Sequence, residues 1–187
     1  MRGVNISCDM HELKDFCNRV NENLSAEYRR EFYKACAKEL AARMLALVIP
    51  RTPTGEYDRE VYFTTKDGIE VRFTPHTGKV GGTLKRGWTA KTHEEAASGK
   101  GAPSAAEIIK YAQALPVTDG GGTYTITITN PVEYSQYVEF GHRTATGDGW
   151  VKGQFMMTIS AREVQQIAPQ ALERKLEKFL REGMGDK

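Results

Sequence analysis

The side chains best suited to catalysis are the imidazoles of His76, His93 and His142 and the carboxylate of Glu139. Imidazole nitrogens and carboxylate oxygens are the usual ligands of catalytic zinc, so these groups could form a metal site if the fold brought them together. Their spacing does not favour this, because no two histidines lie four residues apart and no HExxH motif occurs. A metal-dependent hydrolase or nuclease using these four residues is therefore the alternative function.

Other catalytic patterns are weaker still. The glycine clusters at 78–82 and 120–122 lack the spacing or the following helix of a phosphate-binding loop, so we interpret both as turns. No GxSxG motif occurs, and Cys8, Cys17 and Cys36 form no CxxC pair. We expect no catalytic residues, no cofactor and no resident metal, with Cys36 acting as a small apolar side chain on a helix.

A basic group surrounds Trp88. Its members are Lys85, Arg86, Lys91 and Lys100. They could contact DNA passing through a channel, or they could form a solubilising edge or a contact for an acidic partner. The second interpretation is favoured, because phosphate recognition usually needs a denser basic patch and the formal net charge is only +2.

The segment from Asn130 to His142 stands out, because three aromatic residues follow directly after a predicted strand. In one interpretation these aromatics and Val138 fill the core, and Gly141 supplies a φ angle that other residues resist. In the other, the segment is an ordered platform that presents Glu139 and the following loop to a neighbouring subunit. Aromatic residues are enriched in both settings, so the two stay open. The candidate interface residues are Tyr134, Tyr137, Glu139, Phe140, Gly141, His142 and Trp150.

Hydrophobic periodicity predicts the elements that position these residues. We predict helices at 9–22 and 26–49, the second ended by Pro50 and Pro53, and one at 104–115 opened by a Ser104–Glu107 capping box. The predicted strands are a 58–74 hairpin with a tight primed turn at Asp67-Gly68, a strand near 84–91 and a half-buried strand at 124–129. Flexible loops are predicted at 92–103 and 143–153. The last two predicted helices are 154–166 and 169–182, with Pro169 in the first turn of the second.

These elements predict a single α+β domain over residues 1–187, in which the long N-terminal helix packs on a small, mostly antiparallel sheet and C-terminal helices follow. The chain is 40% hydrophobic and 27% charged, a globular composition. No apolar run approaches the roughly 18 residues that a membrane span needs. We therefore expect a soluble protein, made in the cytosol and without a membrane partner.

The order of these landmarks resembles the small neck, or tail-completion, proteins of long-tailed bacteriophages, the "gene product ten" type of head–tail joining protein. Over about residues 25–180, the long helix is followed by Gly82-Thr-Leu-Lys-Arg-Gly-Trp88, by Tyr134-Ser-Gln-Tyr-Val-Glu-Phe-Gly141 and by Gly149-Trp-Val-Lys-Gly-Gln-Phe-Met-Met157. In that family the proline and Gly-x-Leu parts are close together. Here a 54–81 hairpin insertion separates them, and Gly87 replaces the serine before the tryptophan.

The resemblance implies a non-enzymatic virion protein that assembles in the host cytoplasm. Copies would form a homo-oligomeric ring at the neck, with connector or head-completion proteins on one side and tail-tube or tail-terminator proteins on the other. A tail-terminator position would be equally structural. The 133–143 segment and the 143–153 loop would then face a neighbouring subunit.

Overall fold

The computed structural model describes residues 26–55, 57, 60–74, 81–144 and 147–183. The predicted helix at 9–22 and the histidine at position 76 lie outside these ranges. The helices are α1 Ala26–Arg51, α2 Thr83–Gly87, α3 His93–Ser98, α4 Ala105–Ala114, α5 Ser135–Phe140 and α6 Met156–Gly183. The strands are β1 Val61–Thr64, β2 Glu70–Phe73, β3 Thr118–Asp119, β4 Tyr124–Thr125, β5 Gly141–Arg143 and β6 Trp150–Lys152.

The α+β class is confirmed. Helix α1 packs against α6 and α4, and together they enclose the core. Its fully buried side chains include Leu45 and Val48 of α1 and Met156 of α6. Within the described residues, the strands divide into three separate antiparallel ribbons, β1–β2, β3–β4 and β5–β6, and do not form one sheet. The helical layer is therefore the scaffold, and the ribbons lie around it.

Helix α1 confirms the predicted long helix but passes Pro50 and ends at Arg51. A proline this close to the C-terminus breaks few backbone hydrogen bonds, so one more residue can stay helical. The Arg51 side chain then joins α1 to α6, donating to the Ser160 hydroxyl at 3.2 Å and to the Glu163 carboxylate at 2.6 Å.

The predicted hairpin forms, but its turn differs from the prediction. The Thr65 amide donates to the Ile69 carbonyl and the Gly68 amide to the Thr65 carbonyl, so the loop has three residues rather than two. Only Gly68 has a positive φ, of 78°; Asp67 does not. This is an ordinary turn followed by a glycine in the left-handed region, so the two residues before the glycine keep negative φ angles.

Two predictions between the insertion and α4 are wrong. Residues 83–87 form helix α2 instead of a strand, because the spacing of Leu84 and Trp88 also places them on one face of a helix. The 92–103 segment contains helix α3 instead of being a loop throughout. Thr92 caps α3 by accepting a hydrogen bond from the Glu95 amide.

The capping box is confirmed, with Ser104 and Glu107 each bonded to the other's backbone amide. The alternation predicted for 124–129 is confirmed in burial, since the isoleucines and Tyr124 are half-buried and the threonines exposed. The backbone ladder, however, covers only Tyr124–Thr125, paired with Thr118–Asp119. In the part of the chain that the structure describes, no strand pairs with the rest of that segment.

The C-terminal third is more regular than predicted. Strands β5 and β6 occupy both ends of the predicted 143–153 loop. Helix α6 is one continuous helix that contains Pro169, not two helices with Pro169 at the start of the second. The proline leaves the Gln165 carbonyl without its helical donor, but Gln165 is exposed, so water can satisfy it.

Candidate interaction surface

The aromatic segment is anchored at its start by Asn130. The Asn130 side-chain amide donates to the Leu84 carbonyl at 2.9 Å, and its oxygen accepts from the Val132 amide at 3.1 Å. A Cβ on Gly87 would lie 2.3 Å from that same oxygen, so a side chain at position 87 would displace Asn130. Asn130 thereby ties the end of segment 126–129 to α2.

Glu139 points into the protein, with only 7% of its surface exposed. Its carboxylate accepts hydrogen bonds from the amides of Met157 and Thr158, both at 2.9 Å, and from the Thr158 hydroxyl at 2.7 Å. These are free N–H groups of the first turn of α6, where a negative charge is also favoured by the helix dipole. The expectation that Glu139 is presented to a neighbour is therefore corrected: it fixes the start of α6.

Backbone contacts between the two halves of the site explain its glycines. Gly141 has a φ of 86°, as the sequence predicted, and a Cβ there would lie 2.4 Å from the Val151 carbonyl oxygen. A Cβ on Gly153 would lie 2.4 Å from the Glu139 carbonyl oxygen. That same carbonyl accepts from the Phe155 amide, which holds Phe155 at an unusual positive φ of 49°. The segment around Glu139 and the start of α6 form one rigid junction.

Large apolar side chains are exposed around this junction, on both faces of the β5–β6 ribbon. Val151 shares one face with His142, and Trp150 lies on the opposite face, because side chains alternate along a strand. We define the aromatic surface as Tyr137, Phe140, Trp150, Val151 and Phe155, whose exposed fractions are 59%, 61%, 64%, 44% and 39%. The core-filling interpretation is thus wrong for Tyr137 and Phe140, whereas Val138 does pack against the core. Exposed large apolar side chains carried by one backbone junction are typical of protein contact sites.

Two flanking groups complete the surface. The rings of Tyr137 and His142 lie 5.8 Å apart between centroids, so the exposed His142 borders the aromatic surface. Tyr134 lies beside a cleft of about 180 Å³ that Pro53, Gly55 and Leu84 also line. Partial burial, followed by the nearby Tyr57, raises the pKa of Tyr134, although Arg86 opposes this. The cleft separates the aromatic surface from the base of the insertion.

The metal hypothesis finds no assembled site in the described ranges. The Glu139 carboxylate is occupied by the first turn of α6. His93 begins α3, and His142 lies on β5. Among the described residues, which exclude position 76, no three histidine, cysteine or acidic side chains are grouped as metal ligands.

The basic group around Trp88 is also divided by the fold. Arg86 is buried, and its guanidinium donates to the carbonyls of Ala96 at 2.7 Å, Gly81 at 3.0 Å and Gly101 at 3.1 Å. It therefore holds the surrounding loops together and is not available to DNA. Lys91 and Lys100 are exposed.

Trp88 is a core residue, only 3% exposed, and the sequence did not identify its partner. The indole N–H donates to the Thr52 hydroxyl at 2.8 Å, and that hydroxyl donates to the Val48 carbonyl at 2.8 Å. Thr52 is 1% exposed although it follows the end of α1. Its position between two prolines gave no signal of this role.

Comparison with known proteins gives one match. The profile of the family described as "Bacteriophage HK97-gp10, putative tail-component" matches residues 14–141, more than half of the 187-residue chain. No curated protein and no solved structure matches the chain. In the described residues, no helix is both long and apolar enough to cross a membrane. The matched range includes the Gly82–Trp88 and Tyr134–Gly141 segments whose packing is described above, and the chain belongs to the HK97-gp10-like family of bacteriophage tail components.

Proposed function

We propose that this protein is a non-enzymatic virion component that joins head to tail, or completes the tail, as a homo-oligomeric ring at the neck. Family membership supports a structural role in the tail. The observation that carries the finer proposal is the aromatic surface, because it offers large apolar groups on a junction that Glu139 and the glycines make rigid. Preorganised surfaces of this kind lose little conformational entropy on binding.

In this proposal the aromatic surface faces a neighbouring virion subunit. Tyr137, Phe140 and Trp150 are the expected energetic anchors, since large aromatic residues dominate protein interfaces. Arg143 and Lys152 are exposed beside them and favour an acidic partner surface. The partners are further copies of the chain, connector or head-completion proteins, and tail-tube or tail-terminator proteins. Assembly takes place in the host cytoplasm.

A passing contact with DNA is a smaller part of the proposal. If the ring encloses a channel, Lys91 and Lys100 are the candidate residues, and Arg86 is not. Two exposed lysines per copy would give a salt-dependent contact without sequence preference. No base readout is expected.

The test is electron microscopy of particles made by a phage that lacks this gene. Separate full heads and finished tails support head–tail joining, whereas tails of aberrant length indicate a terminator role. Normal infectious particles would reject the proposal. Complementation with Tyr137→Ala combined with Trp150→Ala should leave the same defect as the deletion. The matched control is Ile109→Ala on α4, which is 55% exposed and lies outside the aromatic surface; it should restore particles.

A further inference from the structure

The ribbon β1–β2 has two chemically different faces. Its register pairs Val61 with Phe73 and Phe63 with Val71. Because side chains alternate along a strand, these four residues share one face, and Ile69 continues it beyond Glu70. Phe63, Ile69 and Phe73 are 46%, 61% and 49% exposed. The face is apolar along its whole length and is largely uncovered.

The opposite face is polar. It carries Tyr62, Thr64, Glu70 and Arg72, and the Arg72 guanidinium lies 5.3 Å from the centroid of the Tyr62 ring. In the described part of the chain, no other helix or strand packs closely against this ribbon. An isolated two-stranded ribbon is only marginally stable in water. Among the described residues no other helix or strand covers its apolar face, so a further surface would stabilise the ribbon.

The complementary feature is segment 126–129, in which burial alternates as it does along a strand. Ile126 and Ile128 pack against the core, while Thr127 and Thr129 are exposed. Within the described ranges, the backbone amides and carbonyls of this segment make no hydrogen bond, since the ladder stops at Thr125. It resembles a strand in burial pattern and β-branched composition, and no described residue pairs with its edges.

We propose that the β1–β2 ribbon of one copy pairs with segment 126–129 of a neighbouring copy, so that the two chains share a three-stranded sheet. Each strand offers four residues, or about 13 Å of backbone. The faces also match. The apolar face of the ribbon continues that of Ile126 and Ile128 over the helical layer, and the polar face continues that of Thr127 and Thr129.

A second copy is the occupant because each chain carries both halves of the contact and, among the described residues, no hydrogen bond joins them. Association in which one surface of each copy meets a different surface of the next uses both halves once per copy, and it forms a closed ring when the rotation between copies divides a full turn evenly. Addition of a strand to an open edge is a recurrent mode of recognition. This inference rests on the proposed self-association and specifies the contact that would produce it.

Disulfide trapping between two single-cysteine chains tests the contact. In a background with Cys8, Cys17 and Cys36 changed to serine, a Thr127→Cys chain is mixed with a chain carrying cysteine on the polar face of the ribbon. The four ribbon variants are Tyr62→Cys, Thr64→Cys, Glu70→Cys and Arg72→Cys. Residues opposite each other on neighbouring strands lie about 4.5–5.5 Å apart, within disulfide range. Phe63→Cys on the apolar face is the control.

At least one polar-face variant should give a mixed covalent dimer in about tenfold excess over Phe63→Cys, because only one face brings the sulfurs together. A signal no greater than that of Phe63→Cys for all four would overturn the proposal. The proposal would also be overturned if a chain that carries both Thr127→Cys and Thr64→Cys formed an intramolecular disulfide at every protein concentration. In that case the ribbon would pair with segment 126–129 of its own chain.

Substitution on the apolar face gives an independent readout. Phe63→Asp should weaken self-association by about tenfold or more in analytical ultracentrifugation, because an aromatic contact is lost, and should leave the unfolding temperature unchanged. Tyr62→Asp on the polar face should have a smaller effect. Equal effects from the two would count against the face assignment. The two proposals can fail separately. If the disulfide-trapped dimer forms but deletion of the gene leaves the phage particles normal, the contact stands and the proposed function is rejected.

Discussion

The strongest stability prediction concerns Glu139, whose carboxylate is the acceptor for the first turn of α6. Glu139→Ala removes three hydrogen bonds and leaves the Met157 and Thr158 amides without an acceptor. Loss of a helix cap costs up to about 2 kcal/mol, and loss of a partly buried charge at a helix N-terminus costs up to about 2 kcal/mol more. We expect the free energy of unfolding to fall by about 2–4 kcal/mol.

In a chain of this length each kcal/mol lowers Tm by roughly 2–4 °C, so Glu139→Ala should lower Tm by about 4–16 °C in thermal unfolding followed by circular dichroism. Glu139→Gln keeps one acceptor oxygen and should fall between Glu139→Ala and the unchanged protein. Glu133→Ala is the matched control, because Glu133 is exposed in the same segment. Its effect should stay within about 0.5 kcal/mol.

A Tm for Glu139→Ala indistinguishable from that of Glu133→Ala would refute the capping argument. A second pattern would be equally informative. If Glu139→Ala kept its Tm but failed to assemble particles, the carboxylate would belong to a subunit contact, as one interpretation of the sequence held. Tyr137→Ala should give the reverse of the Glu139→Ala result, with little change in Tm and impaired assembly, because its side chain is 59% exposed.

Three further predictions concern separate sites. Gly87→Ser should lower the free energy of unfolding by about 1–3 kcal/mol in urea titration, because its Cβ meets the Asn130 oxygen. Asn130→Ala should destabilise the Gly87→Ser variant less than it destabilises the unchanged protein, because the two residues are in contact. Burial raises the pKa of Cys36 to about 11 from an ordinary 9.0, so a thiol reagent at pH 8 should label Cys36 roughly a hundredfold more slowly in the folded protein than after unfolding. Hydrogen bonds from Ser104 lower the pKa of Glu107, so its contribution to stability is present above its ordinary pKa of 4.5 and lost as pH falls; Glu107→Gln should lower Tm at pH 7 and make Tm less sensitive to acid.

The parts of the fold that the sequence predicted well are those in which one local signal decides the structure. The long apolar stripe predicts helix α1, and the spacing of Ser104 and Glu107 alone predicts the start of α4 and its capping hydrogen bonds. The alternation at 124–129 was also predicted, because burial on one face imposes a period of two. Such signals need no knowledge of distant partners.

The failures arose where tertiary contacts choose between two local solutions. The residues around Leu84 and Trp88 satisfy both a strand and a helix pattern, and the helix is favoured because Trp88 reaches Thr52 on another element. Pro169 predicts the start of a helix when only the sequence is considered. In the structure α6 continues through Pro169, and its packing against α1 favours one continuous helix. The 92–103 segment looked like a loop, but Arg86 binds its carbonyls from inside.

The candidate site shows the same division. The sequence located the segment and the need for glycine at position 141, but it could not assign inside and outside. Glu139 was the natural choice for an exposed contact because charged residues are rarely buried without a partner. Its partner is the start of a helix that begins at Met156, and no local pattern reports that distance. The aromatics were consequently placed inward in one interpretation, although Tyr137 and Phe140 are exposed.

The recognisable motifs mark places where distant backbones touch. A Cβ on Gly81 would lie 2.3 Å from the Gly55 carbonyl oxygen, so the insertion leaves and rejoins the domain at one point and its ribbon can differ without moving the core. Gly141 and Gly153 close the second junction in the same way. These glycines define how the chain folds, whereas the surfaces beyond them determine what it contacts. Proteins that share these motifs are therefore expected to share the backbone scaffold. Their partners depend on the exposed side chains that the scaffold positions.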